Sequence, residues 1–136
     1  FTVDLDLVVG FEPGNLLAAM RVFETLGFAP KAPVKATDFA DPAIRARWID
    51  DQGMTVFSLW SDAFRGTDVD LFVSEPIPFA ELEAAATAIP LEVTTVPVAS
   101  IQHLLRMKEA AGRPRDLEDA RVLRGLLAES ESSRDS

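Results

Sequence analysis

The stretch TVDLDLVVG, residues 2–10, alternates aliphatic and acidic side chains, and that alternation restricts the segment to an extended strand with two unlike faces. Successive side chains of a strand point to opposite sides, so Val3, Leu5 and Leu7 share one face and Asp4 and Asp6 the other. One face suits a core; the other is a pair of carboxylates. A second stretch, TDVDLFVS, repeats the pattern, with Asp68 and Asp70 together on one face of a short strand. Asp is among the poorer strand formers, so two such stretches need a cause. They are either half-solvated strands or a place where a divalent cation offsets carboxylate repulsion.

If the two strands are neighbours, three carboxylates converge. Such a set suits Mg2+, which takes oxygen ligands and is commonly held by one or two carboxylates together with substrate phosphates. The third carboxylate completes a two-ion site or takes the proton of an attacking hydroxyl. The chemistry implied is phosphoryl or nucleotidyl transfer.

At 136 residues and 48% hydrophobic content the chain has room for one domain with a core. The expected domain covers 1–129, and SESSRDS at 130–136 reads as a disordered polar tail. No apolar run reaches the length of a membrane span, so no membrane partner is expected. The absence of cysteine removes disulfides and thiolate metal sites and fits a reducing, cytoplasmic setting. A net charge of -9 argues against nucleic-acid binding through the whole surface. Positive charge is nevertheless concentrated in HLLRMKEAAGRPRDLEDARVLR, where Arg106, Lys108, Arg113, Arg115, Arg121 and Arg124 suit an anionic ligand. The chain opens on Phe1 and enters a strand at once, so a longer natural protein is expected.

After the first strand, EPGN supplies turn residues, and Asn15 is placed to cap a helix whose apolar positions are Leu16, Met20 and Phe23. Gly27 stops it, and Phe28 fits the apolar contact that accompanies a left-handed helix end. The segment from Ala29 to Asp41 is broken by prolines, has no clean period and reads as loop. DPAIRARWI is a short helix with Asp41 as cap and Pro42 at its first position. QGMTVFSLW and VDLFV follow as an antiparallel strand pair. PFAELEAAATAI reads as a helix and LEVTTVPV as a strand. Ser100 caps IQHLLRMKEAA, Gly112 ends it, and Asp116 caps LEDARVLRGLLAE, with Leu117, Ala120, Leu123 and Leu127 on one stripe.

The order of TVDLDLVV, a helix ending LGF, VDLF, and VPVASIQHLLRMKEAAGRPRDLEDARVL resembles the nucleotidyltransferase-fold superfamily over nearly the whole chain. The nearest branch is the small bacterial proteins similar to abortive-infection toxins of toxin-antitoxin pairs. The most specific parts are the two aspartate strands and the closing LLRMKEAAGRPRDLEDA. The resemblance implies an α+β fold, a mixed β-sheet flanked by helices with a helical carboxyl-terminal segment. Asp4 and Asp6 match its paired metal ligands, and Asp70 matches its third acidic residue in a catalytic role; Asp68 has a weaker claim. It implies Mg2+, two ions with a bound nucleoside triphosphate, transfer of a nucleoside monophosphate to an RNA or protein acceptor, and a cognate antitoxin. The alternative is a silent member of the fold that binds a protein or RNA partner. The family also carries a Gly-Gly or Gly-Ser phosphate-binding signature before the paired aspartates. This chain lacks it: either the signature lies upstream of Phe1, or the chain is a degenerate member that does not hold a triphosphate.

Lys108 matches a recurrent lysine of the branch and suits either a phosphate or a pairing with Asp116 or Asp119. Arg113, beside Gly112 and Pro114, is likewise a phosphate contact or a turn residue. Asp116 and Asp119 read as a cap and a first-turn acid. His103, the single histidine, reads as a surface or half-buried residue before it reads as a general base. Trp48, Phe57, Trp60 and Phe64 read as core or groove wall.

Overall fold

The computed structural model describes residues 3–134. Thr2 of the opening strand and Asp135 and Ser136 of the polar tail lie outside them. The chain divides into two units, Phe1–Glu75 and Pro76–Ser136, where the sequence reading expects one domain. Both helices and strands contribute, so the fold is mixed α+β.

In the first unit, β1 (Val3–Leu7) is followed by helix α1 (Pro13–Thr25), a two-residue strand β2 (Ala29–Pro30) and a 3-10 helix, Ala36–Ala40. Helix α2 (Pro42–Gln52) then leads into β3 (Val56–Trp60) and β4 (Thr67–Phe72). The strands form one sheet in the order β1-β4-β3-β2. β1 runs parallel to β4, whereas β4 and β3, and β3 and β2, are antiparallel. The expected antiparallel pair is therefore the centre of the sheet, and the opening strand joins it in parallel through α1 and α2.

α1 begins two residues before the expected cap. Pro13 occupies the first helical position, where a missing N–H costs nothing. Asn15 lies inside the helix, and its amide donates to the Gly10 carbonyl at 2.9 Å instead of capping. The other end is as expected. Phe28 N–H donates to Phe23 O at 2.9 Å and Gly27 N–H to Glu24 O at 3.0 Å, the paired bonds of a Schellman motif. Gly27 supplies the required positive φ of 86°. The Phe28 ring meets Phe23 edge-on at 5.8 Å, which is the accompanying apolar contact.

Between α1 and α2 the expected loop contains ordered pieces. Ala29 and Pro30 pair with Trp60 and Leu59 at a sheet edge, where proline is tolerated. At α2 the Asp41 carboxylate accepts from the N–H groups of Ala43 and Ile44, and Pro42 fills the first position. Replacing Asp41 by Ala is expected to cost about 1 kcal/mol, as other lost N-caps do, read from urea unfolding midpoints. An unchanged midpoint would show that the cap is redundant.

One sheet face is the core. Phe57, Leu59, Val69 and Leu71 are buried there together with Leu16 and Met20 of α1, Phe39 of the 3-10 helix and Trp48 of α2. Phe57 is stacked between Trp48, at 5.2 Å, and Phe39, at 5.1 Å. Arg45 is buried at the margin of this cluster. Its guanidinium lies over the Phe11 ring at 4.6 Å and donates to the Phe39 carbonyl. Burial lowers its pKa while the charge of Asp41 opposes that. By these contacts Arg45 ties the segment after β1 to the 3-10 helix.

In the second unit, α3 (Phe79–Ala85) leads into a hairpin of β5 (Thr87–Pro90) and β6 (Thr95–Val98), then α4 (Ile101–Ala111) and α5 (Pro114–Arg134). The helix expected through Ile89 stops at Ala85. Thr87 and Ile89 favour extended backbone, and Pro90 biases the residue before it the same way. Those residues pair with β6 instead, the turn closing from Leu91 N–H to Thr94 O at 2.7 Å. Ser100 caps α4 as expected, its hydroxyl accepting from His103 N–H at 3.1 Å. Residues 130–134, read as tail, continue α5. Along the expected stripe of α5, Ala120 is buried and Leu123 and Leu127 are half-buried, whereas Leu117 is exposed.

Candidate functional site

The register of the sheet places the two aspartate strands side by side. Asp4 lies opposite Asp68 and Asp6 opposite Asp70 in the parallel β1–β4 pair. Because the period of a strand is two, all four belong to one face, opposite the core residues Val69 and Leu71. Asp4 and Asp6 are exposed, while Asp68 and Asp70 are half-buried toward the centre of the sheet. The adjoining strands and shared face expected for Asp4, Asp6 and Asp70 are therefore present, whereas the expected convergence of three carboxylates on one cation site is not found among the described residues. The carboxylates form two successive rungs along the strands, and among the described residues no group of three or more His, Cys, Asp or Glu side chains is gathered so as to hold a metal ion.

Two residues not singled out in the sequence belong to this face. Ser58 lies opposite Asp70 across the β3–β4 pair, and its hydroxyl donates to Asp70 Oδ1 at 2.6 Å. Lys31 follows β2, and its N–H donates to Ser58 O at 3.0 Å, which continues the pairing by one residue. Its ammonium donates to Asp68 Oδ2 at 2.5 Å. That hydrogen bond raises the Lys31 pKa, against some desolvation, and the charges of Asp68, Asp70 and Asp4 raise it further. The alternation Val56, Ser58, Trp60 contained a signal for Ser58, since one polar residue stood on an otherwise apolar face. Lys31 had none, because its position depends on a two-residue strand, Ala29–Pro30, that itself contains a proline.

The donors of the Asp6–Asp70 rung are hard oxygens, and Mg2+ needs only one or two carboxylates when waters and phosphate oxygens complete its shell. The pair thus fits that ion in donor type, with Asp4 the next carboxylate along the same face.

Lys108 and Arg113 belong to the second unit, where both meet carboxylates. Lys108 Nζ is 3.1 Å from Asp119 Oδ2 and 3.8 Å from Asp116 Oδ1. Arg113 Nε donates to Asp116 Oδ2 at 2.6 Å, and a terminal guanidinium nitrogen reaches Oδ1 at 3.3 Å. Of the two readings of Lys108, the geometry displays the pairing with Asp116 and Asp119. Asp116 is not the cap of α5 but its third residue, because Pro114 starts the helix; its carboxylate reaches back to the Arg113 N–H at 3.3 Å. Only 1% of it is exposed, and the Arg113 guanidinium holds its pKa below the usual Asp value.

His103 is buried, not superficial. Its Nε2 is 3.4 Å from Glu81 Oε1, and Nδ1 has no hydrogen-bond partner among the described residues. Arg106 donates to the same Glu81 oxygen at 3.0 Å and is the first cause of the lowered Glu81 pKa, with His103 adding to it. Trp48 and Phe57 are core, whereas Trp60 and Phe64 are exposed. A depression of about 320 Å³ lies along α2, lined by Asp38, Ile44, Arg47, Trp48, Asp51 and Gln52. None of the expected site residues lines it. No helix among the described residues is long and apolar enough to cross a membrane.

The class defined by the fold is a mixed α+β protein with a carboxylate-bearing sheet face. No protein-family model matches the chain, and a search of curated proteins finds no match.

Proposed function

We propose that the chain is a cytoplasmic, Mg2+-dependent nucleotidyltransferase-like protein that transfers a nucleoside monophosphate from a nucleoside triphosphate to an acceptor hydroxyl, as the toxin of a toxin-antitoxin pair. The observation that supports this reading is the in-register parallel pairing of β1 with β4, which puts Asp6 beside Asp70 and Asp4 beside Asp68 on one face. Asp6 and Asp70 would hold the ion, with Asp4 adjoining. Bound Mg2+ supplies positive charge against the phosphate oxygens. Asp70 has a further task. With Oδ1 accepting from Ser58, Oδ2 takes the proton of the attacking hydroxyl. The hydroxyl oxygen bonds to the α-phosphorus, the bond to the bridging oxygen breaks, and pyrophosphate leaves with its electron pair. Positioning and charge neutralisation carry most of the rate.

Ligand binding to the folded state raises stability, by about 2.7 kcal/mol at one hundred times Kd. The thermal midpoint is therefore expected to rise with Mg2+, and further with Mg2+ and a triphosphate together. Asp6→Asn and Asp70→Asn should each abolish the joint shift, and pyrophosphate should appear when RNA or protein acceptors are added to the unsubstituted chain. Equal midpoints under all conditions would overturn the enzyme reading in favour of a silent protein of this fold that binds a protein or RNA partner.

A further inference from the structure

The hairpin of β5 and β6 in the Pro76–Ser136 unit is a two-stranded sheet, exposed along both strands, with no third strand beside it among the described residues. A strand at a sheet edge presents unpaired N–H and C=O groups on which another strand can pair, and proteins close such edges with charges, bulges, proline or short strands. Between Thr87 and Val98 the one charged residue is Glu92, in the turn, and the register runs without a bulge. Beyond the shortness of the strands, only proline is left. Pro90 and Pro97 supply it.

The register decides which way each proline turns its backbone. In an antiparallel pair, residues that exchange hydrogen bonds alternate with residues whose backbone groups point away from the partner strand. Leu91 N–H donates to Thr94 O at 2.7 Å, so, counting back along the register, Ile89–Val96 and Thr87–Val98 are the bonded pairs. Ala88–Pro97 and Pro90–Thr95 are the others. Both prolines therefore occupy outward positions, Pro90 on the free edge of β5 and Pro97 on that of β6, where no bond within the hairpin is lost. Each edge keeps an outward N–H, that of Ala88 or Thr95, and at its other outward position a pyrrolidine ring stands in place of the donor.

We propose that Pro90 and Pro97 are edge guards that keep this hairpin from pairing, strand against strand, with the same hairpin of a second copy. A second copy is the strand donor to be excluded, because its strands are identical, carry no charge to repel their counterparts and are rich in β-branched residues. Ile89, Val96 and Val98 also form an exposed aliphatic row on one face of the hairpin. Paired copies would join two such rows into one apolar surface. The guards act on the backbone alone, so they close the edges and leave that face unchanged.

The test compares the unsubstituted chain with Pro90→Thr, Pro97→Thr and the double substitution, by sedimentation velocity over a wide range of concentration and by amide hydrogen exchange at both ends of that range. Threonine suits a strand and restores the N–H. The double variant is expected to associate at a concentration roughly tenfold below that of the unsubstituted chain, because edge hydrogen bonds are regained. The amides introduced at positions 90 and 97 should exchange freely in dilute solution and slowly once the chain associates, while those of Ile89 and Val96 stay protected throughout. Each single substitution should open one edge; association through one edge alone would assign the role to that proline and overturn it for the other. Equal association of all the chains, or association of the double variant without protection at positions 90 and 97, would overturn the guard role. Loss of protection at Ile89 and Val96 in the variants would overturn it too, since the prolines would then hold the hairpin together and not close its edges.

Discussion

Replacing Phe57 by Ala is expected to destabilise the Phe1–Glu75 unit by about 3–5 kcal/mol, the range for a buried aromatic reduced to a methyl group. Phe57 is 1% exposed and lies face to face with Trp48 on one side and Phe39 on the other. The substitution removes the central ring of three, so the cost includes both stacking contacts and a cavity that α2 and the 3-10 helix would have to move to fill. It also bears on the candidate site. Phe57 adjoins Ser58 on β3, so a strand that loses its inward anchor presents Ser58 less firmly to Asp70. Urea unfolding followed by tryptophan fluorescence measures the effect. A loss below about 1 kcal/mol would mean that Phe57 is not the centre of the core.

Asp116 is the expected point of greatest sensitivity in the Pro76–Ser136 unit. Its carboxylate meets the Arg113 guanidinium, the Arg113 N–H and Lys108 while 1% exposed. Asp116→Asn keeps the shape and removes the charge, leaving two cations without it. The midpoint of unfolding should fall well beyond the change produced by Asp119→Asn, whose carboxylate is more exposed and pairs with Lys108 alone among these cations. The dependence on pH has a definite sign. The folded pKa of Asp116 is lowered, first by its hydrogen bond to Arg113, so the unfolded chain binds that proton more readily. Its stabilisation is then fully present above the ordinary Asp value of about 3.9 and is lost as pH falls through the depressed folded value. Glu81, lowered by Arg106, adds in the same direction. Midpoints measured from about pH 7 down to about pH 2.5 should fall in acid, and fall less steeply in Asp116→Asn. Parallel curves would show that Asp116 contributes nothing to acid sensitivity.

Much of this fold is local and was legible for that reason. The parity of Asp4 and Asp6 against Leu5 and Leu7, the Asp41 cap with Pro42, the Gly27–Phe28 helix end and the Ser100 cap each depend on residues within a few positions of one another. Backbone sterics and side-chain reach settle such features without the rest of the molecule. Where local reading failed, a nearby proline usually decided the matter: Pro13 and Pro114 start their helices two residues before the expected caps, and Pro90 favours the hairpin over a longer α3.

Alternation along the chain was enough to put the paired aspartates of each strand on one face and to mark Phe57 as core or groove wall. The folded chain settles which carboxylates become neighbours, because parallel pairing of β1 and β4 joins segments more than sixty residues apart and its register is set by packing of the opposite face. It also decided the partners of the cations. Lys108 and Arg113 met Asp116 and Asp119 through the turn between α4 and α5, while Lys31, unmarked by any period, reached Asp68 through a strand too short to announce itself. Long charged side chains are directed by whichever opposite charge the folded backbone brings within reach, and that distance is not a property of sequence spacing.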